Sequence, residues 1–196
     1  RFKFPGDEND ASTAEIYETA HLAHKAAAAE IRGMNALIEA QLPHLHTTLS
    51  ALFFVRGRAV FATAEAPLDK SSLVHGSSDR GRTIVDKDKN MRELLAKLCD
   101  KLCLKPHGVA TFGGAAPVEL LTAADVEAHQ SRADGRAYLV DLARLLPPQR
   151  PRVDSKCDNL VRLFRPEFLK LVQRRRLSTL NLLCSQPVRA GFKAVW

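Results

Sequence analysis

The sequence predicts an α+β fold in which helices pack on clustered antiparallel hairpins. Two long segments place apolar residues at helical spacing, and two strand-rich segments with short turns lie between them. Strands and helices do not alternate regularly, which argues against a βαβ arrangement with one parallel sheet. With 196 residues and 45% hydrophobic residues, the chain can bury a core, so wholesale disorder is excluded.

The first long helix is predicted over residues 12–42. Ser12 and Glu15 have the spacing of a capping box, in which each side chain satisfies a backbone amide. Four alanines at 26–29 add helix propensity, and Pro43 ends the segment because its ring does not fit a helix interior.

Two hairpins and a second helix follow. Residues 49–55 and 59–63 are β-rich and flank a three-residue turn at 56–58. Residues 72–75 and 83–85 form a second predicted pair around the loop 76–81. Asp88 is the expected start of a helix that ends near Pro106, with one apolar face formed by Met91, Leu94, Leu95, Leu98, Cys99 and Leu102.

The remaining segments are shorter. Strands are predicted at 118–121 and 137–141, joined by a loop over 125–135. A helix or a pair of helices is predicted over 158–171, with Pro166 in a first turn. Leu163, Phe164, Phe168 and Leu171 are expected to face the core. We divide the chain into a domain over residues 1–176 and a C-terminal extension over 177–196 of unassigned role.

Positive charge is concentrated in the C-terminal third. Residues 136–196 hold 13 Lys and Arg against four Asp and Glu, a net charge of +9 where the whole chain has +7. A polyanion such as RNA is one partner that this charge predicts. A solubilising face, or a contact with the more acidic N-terminal part, is the alternative.

The small number of cysteines favours a reducing compartment, and their spacing does not indicate a metal site. Four cysteines are too few for a disulfide framework in a chain of this size, and no run of about 18 apolar residues is present. We therefore expect a cytoplasmic protein. Cys99 and Cys103 share a helix face but have no second ligand pair, so we interpret them as core residues, and expect no metal.

An ordered series of motifs runs from Asp125 to Phe168. Residues 125–129 read D-V-E-A-H, residues 134–144 read D-G-R-A-Y-L-V-D-L-A-R, a Pro-Pro pair follows at 147–148, and residues 160–168 read L-V-R-L-F-R-P-E-F. This series resembles the central Clu domain of the clustered-mitochondria protein family. That pattern is D-x-E-G-H, D-G-R-x-Y-L-L-D-x-A-R, P-P and L-x-R-x-L-R-P-E-F.

The resemblance extends toward the N-terminus. Residues 1–4 are similar to the opening strand of the family, residues 25–33 to its K-A-A-x-x-E-L-K-G helix, and residues 75–81 to its Y-G-S-x-D-x-G loop. The departures from the family include His75 in place of tyrosine, Ala128 in place of glycine, and Gln149 in place of the glutamate that follows the two prolines. A function that depends on those side chains is therefore not carried over.

The resemblance implies a binding module rather than an enzyme. Clu family members are cytosolic proteins that bind mRNA and influence mitochondrial distribution, so RNA or a ribonucleoprotein is the implied partner, together with other regions of the full-length protein. The motifs do not identify RNA contacts. From charge alone, the predicted RNA-binding residues are Arg162, Lys170, Arg174, Arg175 and Arg176.

A kinase-like phosphotransferase, or a degenerate kinase-like fold without activity, in a two-lobed arrangement, is the alternative. Asp125 and Asp141 have a spacing that suits a catalytic-loop and a metal-binding aspartate acting with ATP and Mg²⁺. Glu127 and His129 would complete the metal ligands, and Lys3 or Lys25 with Glu30 would form the cofactor-binding ion pair. The sequence has no clear glycine-rich nucleotide loop. Apolar neighbours also predict that Asp141 is partly buried, paired with Arg136 or Arg144.

Overall fold

The structure is a computed structural model that describes residues 2–3, 20–56, 58–79, 81–109, 117–150 and 162–175. These residues form an α+β fold, as the sequence predicts. The capping box at 12–15 and the residues 158–161 lie outside the described residues. No helix among the described segments is long and apolar enough to cross a membrane.

Three α-helices are present in the described segments: α1 (Ala20–Ala40), α2 (Lys89–Leu102) and α3 (Pro166–Arg175). Asp88 caps α2 by accepting a hydrogen bond from the Met91 amide, which confirms the predicted start. α3 begins at Pro166, which confirms the predicted first-turn position of this proline. The helix predicted over the preceding residues is wrong for 162–165. There Leu163 forms an isolated bridge with Pro148, which holds the chain extended before Pro166.

Ten strands form three sheets within the described residues. A three-stranded sheet has the order β1-β4-β3, a five-stranded sheet the order β2-β10-β9-β5-β6, and β7 pairs with β8. Their bounds are β1 Phe2–Lys3, β2 Leu45–His46, β3 Ser50–Val55, β4 Arg58–Thr63, β5 Leu73–Gly76, β6 Val85–Asp86, β7 His107–Val109, β8 Val118–Leu120, β9 Glu127–Gln130 and β10 Ala137–Val140.

The strand predictions hold for both hairpins and fail at β9. β3 pairs with β4, and β5 with β6, both antiparallel as expected. The predicted loop over 125–135 instead contains β9, the central strand of the five-stranded sheet, which pairs with β10 and β5. One pair, β2 with β10, is parallel, so the sheet is mixed.

The core lies between the helices and the five-stranded sheet. α2 buries the predicted face, with Leu94 half-buried at its margin, and β10 contributes Leu139. A 3-10 turn over Leu142–Arg144 leaves the end of β10 and packs on α1 at Gly33. This turn places the residues after β10 beside the segment that precedes β9.

Candidate functional site

The motif residues meet at the ends of β9 and β10. Glu127 lies opposite Val140, and His129 lies opposite Tyr138. Asp125 precedes β9 and Asp141 follows β10, so both aspartates lie at the same end of this strand pair. Their environments differ.

Asp125 is held by an ion pair. Its carboxylate contacts the guanidinium of Arg144, and each side chain is less than one-fifth exposed (18% and 19%). Charges that have lost most of their water need a partner of opposite sign, and this pair supplies it. The arrangement assigns Asp125 and Arg144 to holding the 3-10 turn against the start of β9.

Asp141 is exposed, so its predicted partial burial is wrong. It has a left-handed backbone (φ 56°) at the start of the 3-10 turn, and this conformation directs the chain out of the sheet after Val140. Arg144, one of the predicted partners of Asp141, forms an ion pair with Asp125.

Asparagine substitutions should distinguish the contributions of Asp125 and Asp141 to stability. Asp125→Asn removes the charge that neutralises Arg144 and is expected to lower the free energy of unfolding by about 2 kcal/mol. Asp141→Asn is the matched control, because asparagine tolerates the left-handed backbone and the position is exposed; it should change stability by less than about 0.5 kcal/mol. Urea denaturation measures both. Equal effects would contradict the structural role of Asp125.

Glu127 and His129 belong to a second cluster, with Ser72. His129 Nε2 lies 3.1 Å from Glu127 Oε2, and His129 Nδ1 lies 2.9 Å from Ser72 Oγ. A serine, a histidine and a carboxylate in this order have the composition of a nucleophilic triad. Here the serine hydroxyl is buried and also donates to the Asp69 carbonyl (2.6 Å) within a capping box, so its interactions are those of a structural hydroxyl.

No metal site forms among the residues that the structure describes: no three His, Cys, Asp or Glu side chains are grouped so that they could hold an ion. Glu30 accepts a hydrogen bond from the Leu142 amide (2.8 Å), which supports the 3-10 turn. The side chain of Lys3 is outside the described residues. Phosphotransfer with ATP and Mg²⁺ therefore stays a prediction that this geometry does not support.

His75 is the centre of a buried network that the sequence did not predict. Its Nδ1 lies 3.0 Å from Asp86 Oδ1, and its Nε2 lies 3.0 Å from Thr122 Oγ1. Arg92 contacts the other oxygen of Asp86 and also pairs with Glu119 at 3.1 Å. Burial lowers the pKa of His75, against the raising effect of Asp86. The only sequence signal was a histidine in a predicted apolar strand.

Two motif loops are stabilised by their own side chains. In the first, Asp79 accepts from Ser77 (2.9 Å) and from the Thr83 amide (2.8 Å), and the latter bond holds the pKa of Asp79 below its usual range. In the second, which joins β9 to β10, Asp134 accepts from the Tyr138 hydroxyl (2.7 Å) and from the Arg136 amide (3.0 Å). Both loops are structural turns of the family pattern.

Of the two cysteines, Cys99 confirms the core interpretation, whereas Cys103, the residue after α2, is half-buried. Cys99 is buried, its thiol donates to the Leu121 carbonyl (3.2 Å), and burial raises its pKa to about 12. Cys103 has a left-handed backbone at the C-terminal cap of α2 (φ 58°), with its Sγ 3.7 Å from the Leu169 carbonyl.

The predicted RNA-binding residues are only partly described. Arg162 Nη2 donates to Gln149 Oε1 (3.3 Å), and Lys170 pairs with Glu39 (2.6 Å). Arg174 and Arg175 lie in α3, but their side chains, like the whole of Arg176, are outside the described residues.

The apolar face of α3 differs from the prediction. Leu163 is buried and Phe164 is half-buried, as expected, but Phe168 and Leu171 are exposed and Leu169 is buried in their place. The core reaches α3 from the Leu169 side, next to Cys103. Phe168 stacks on Phe164 with a centroid separation of 4.9 Å and keeps its ring partly exposed.

Comparison with known proteins gives matches to one family. The family model described as Clustered mitochondria matches residues 2–150. The clustered mitochondria protein homologs of Caenorhabditis elegans and Danio rerio are 33% and 30% identical over 132 and 131 residues, each 64% of this chain. Protein clueless of Drosophila virilis is 29% identical over 133 residues, 65% of the chain.

These alignments cover 9–10% of the relatives, so the chain matches about a tenth of their length. No solved structure matches, and the kinase-like two-lobed arrangement therefore has no structural neighbour that supports it. The family match covers far more than half of the chain and includes the β9–β10 motifs described above. The chain belongs to the Clustered mitochondria (Clu) family.

Proposed function

We propose that this chain is the Clu binding module of a cytoplasmic protein that associates with RNA or ribonucleoprotein and acts in mitochondrial distribution or biogenesis. Family membership carries this proposal, since the names of the relatives refer to clustered mitochondria. Because the chain matches about a tenth of each relative, other regions of the full-length protein are proposed as further partners.

The site geometry favours binding over catalysis. Asp125, Glu127 and His129 are engaged with Arg144, Ser72 and one another, and they hold β9 in the sheet. No specific observation favours phosphotransfer. The positive charge of the C-terminal third is the remaining feature that would attract a polyanionic partner.

Lys170 can serve such a surface although it is paired. Both Lys170 and Glu39 are more than half exposed, and an ion pair between exposed side chains contributes little because water screens it. A phosphate could therefore replace Glu39 at small cost. Phe168 offers one exposed ring nearby, so base stacking would add little to a mainly electrostatic affinity.

Salt dependence of RNA binding tests the proposal. If about four phosphates are neutralised, the log–log slope of affinity against salt on single-stranded RNA should be near −3. Charge reversal of Arg174, Arg175 and Arg176 to Glu is expected to weaken binding and flatten this slope without lowering the melting temperature.

A matched control carries the same charge change elsewhere. Lys87, Lys89 and Lys97 are exposed and lie outside the basic third, so their reversal to Glu should leave the slope near its wild-type value. Absence of binding at low salt would refute the RNA proposal, and equal weakening by both triple variants would assign the effect to net charge alone.

A further inference from the structure

The β3–β4 hairpin presents an apolar strand that the described part of the molecule leaves uncovered. Leu49 is 84% exposed, Phe53 52%, Phe54 72% and Val55 52%. β3 is the end strand of its sheet, with β4 as its neighbour among the described residues. Four large apolar side chains in seven consecutive residues are unusual on a free surface.

The backbone of β3 is also open along its outer edge. The Ala64 amide donates to the Leu49 carbonyl (2.7 Å). This bond identifies the residues of β3 whose backbone groups form hydrogen bonds with β4. Hydrogen-bonded and non-bonded pairs alternate in an antiparallel ladder. Given the register Val55 with Arg58, the N–H and C=O groups of Ser50, Leu52 and Phe54 therefore point away from β4.

Protein surfaces usually protect such an edge with charges, proline or a bulge. Residues 49–55 contain no charge and no proline, and the ladder to β4 is regular over six consecutive pairs. The strand is therefore ready to accept another strand.

We propose that β3 pairs with β3 of a second copy of this chain, antiparallel and around a two-fold axis at Leu52. This register uses the three outward-pointing residues of each strand. It sets Ser50 opposite Phe54 of the second copy, and Leu49 opposite Val55 of the second copy. Two three-stranded sheets then form one continuous sheet, in which Leu49 and Val55 of the two copies cover one another and Phe53 packs beside Ala51 of the other copy.

Charge favours this pairing over a parallel one. The antiparallel register separates the two Arg56 side chains to opposite ends of the interface, because the turn of one hairpin lies beside the start of β3 in the other. Glu65 is exposed next to the Leu49–Ala64 pair. Arg56 of each copy therefore faces the end that carries Glu65 of the other, within reach of long side chains.

The interface is small, so the expected dimer is weak and concentration-dependent. Sedimentation equilibrium of the chain, from micromolar to sub-millimolar concentration, is expected to show a monomer–dimer equilibrium. Leu49→Lys and Val55→Glu should each raise the dimer dissociation constant on the order of tenfold, because each places a charge against an apolar partner at both ends of the interface. Both positions are mostly exposed, so the folded monomer should persist.

Mixing the two variants tests the register. A heterodimer would place Lys at 49 against Glu at 55 of the other copy and leave the second pair as Leu with Val, so association should return close to the wild-type level. Ile38→Lys, at an exposed apolar position on α1, should leave the equilibrium unchanged. Melting curves confirm that each variant is folded.

The outcomes separate clearly. A monomer at all concentrations would overturn the proposal and leave the strand for a different partner. Dimerisation that persists in both single variants, or that Ile38→Lys weakens equally, would place the contact elsewhere. Loss in each variant without recovery in the mixture would overturn the register, and recovery in the mixture supports it.

Discussion

Replacing Gly33 by alanine is expected to destabilise the protein by about 2–4 kcal/mol, although the same change stabilises most exposed helices. A Cβ at Gly33 would overlap the carbonyl group of Leu142, which belongs to the 3-10 turn packed on α1. The overlap involves backbone atoms, so relief requires α1 and the turn to separate. The gain of about 1 kcal/mol in helix propensity is smaller than this cost.

Asn35→Ala is the control for the same helix. Asn35 is exposed, so alanine there should raise the free energy of unfolding slightly, through propensity alone. Urea unfolding, monitored by circular dichroism, measures both variants. A Gly33→Ala variant as stable as wild type would show that α1 and the turn separate without penalty.

The Gly33 contact shows what sequence periodicity could and could not provide. The apolar spacing predicted α1 and α2 because a helix that packs on a core repeats its buried face. Gly33 is a close-packing point only because Leu142, more than a hundred residues away, lies against it and donates its amide to Glu30. Such a partner is set by the sheet order, which local pattern does not contain.

β9 was missed for a related reason. Its four residues, 127–130, are three polar residues and one alanine, a composition that is more typical of a loop than of a strand. In the fold, Glu127 and His129 satisfy each other, and Ser72 on another segment satisfies the remaining nitrogen of His129. A strand whose buried polar groups find partners from distant segments has no apolar signature.

Asp141 and α3 show that apolar neighbours in the sequence do not determine whether a side chain is buried. Apolar residues on both sides predicted a buried Asp141, but the strand ends at Val140 and a left-handed residue turns the side chain outward. On α3, helical spacing alone did not determine which stripe meets the core, and Leu169 takes the position expected for Phe168. Both errors concern orientation rather than element type.

Removing the imidazole of His75 is expected to have a comparably large effect on stability. His75→Ala leaves a cavity in the fully buried position and deprives Thr122 and Asp86 of a hydrogen-bond partner. Lost packing and unsatisfied polar groups together should cost about 2–4 kcal/mol at pH 7. His46→Gln, at an exposed position in the same sheet, should be close to wild type.

The same residue should make stability depend on pH. The Asp86 carboxylate can only accept, so Nδ1 of neutral His75 donates to it and Nε2 accepts from Thr122. Arg92 already balances the charge of Asp86, and both Arg92 and His107 oppose a further positive charge on His75. Burial, as the largest cause, and these two groups keep the pKa of His75 below its usual value of 6.5.

The sign follows from proton uptake. In the unfolded chain His75 gains a proton as pH falls through about 6.5, while in the folded protein it stays neutral to lower pH. The contribution of His75 to the free energy of unfolding is therefore fully present above pH 6.5. It is lost between that pH and the lower folded pKa, at no more than about 1.4 kcal/mol per pH unit.

His75→Gln cannot titrate, so its free energy of unfolding, measured by urea denaturation between pH 5 and pH 7.5, should fall less steeply with acid. Parallel pH profiles for wild type and His75→Gln would show that the buried network binds the extra proton as readily as the unfolded chain does.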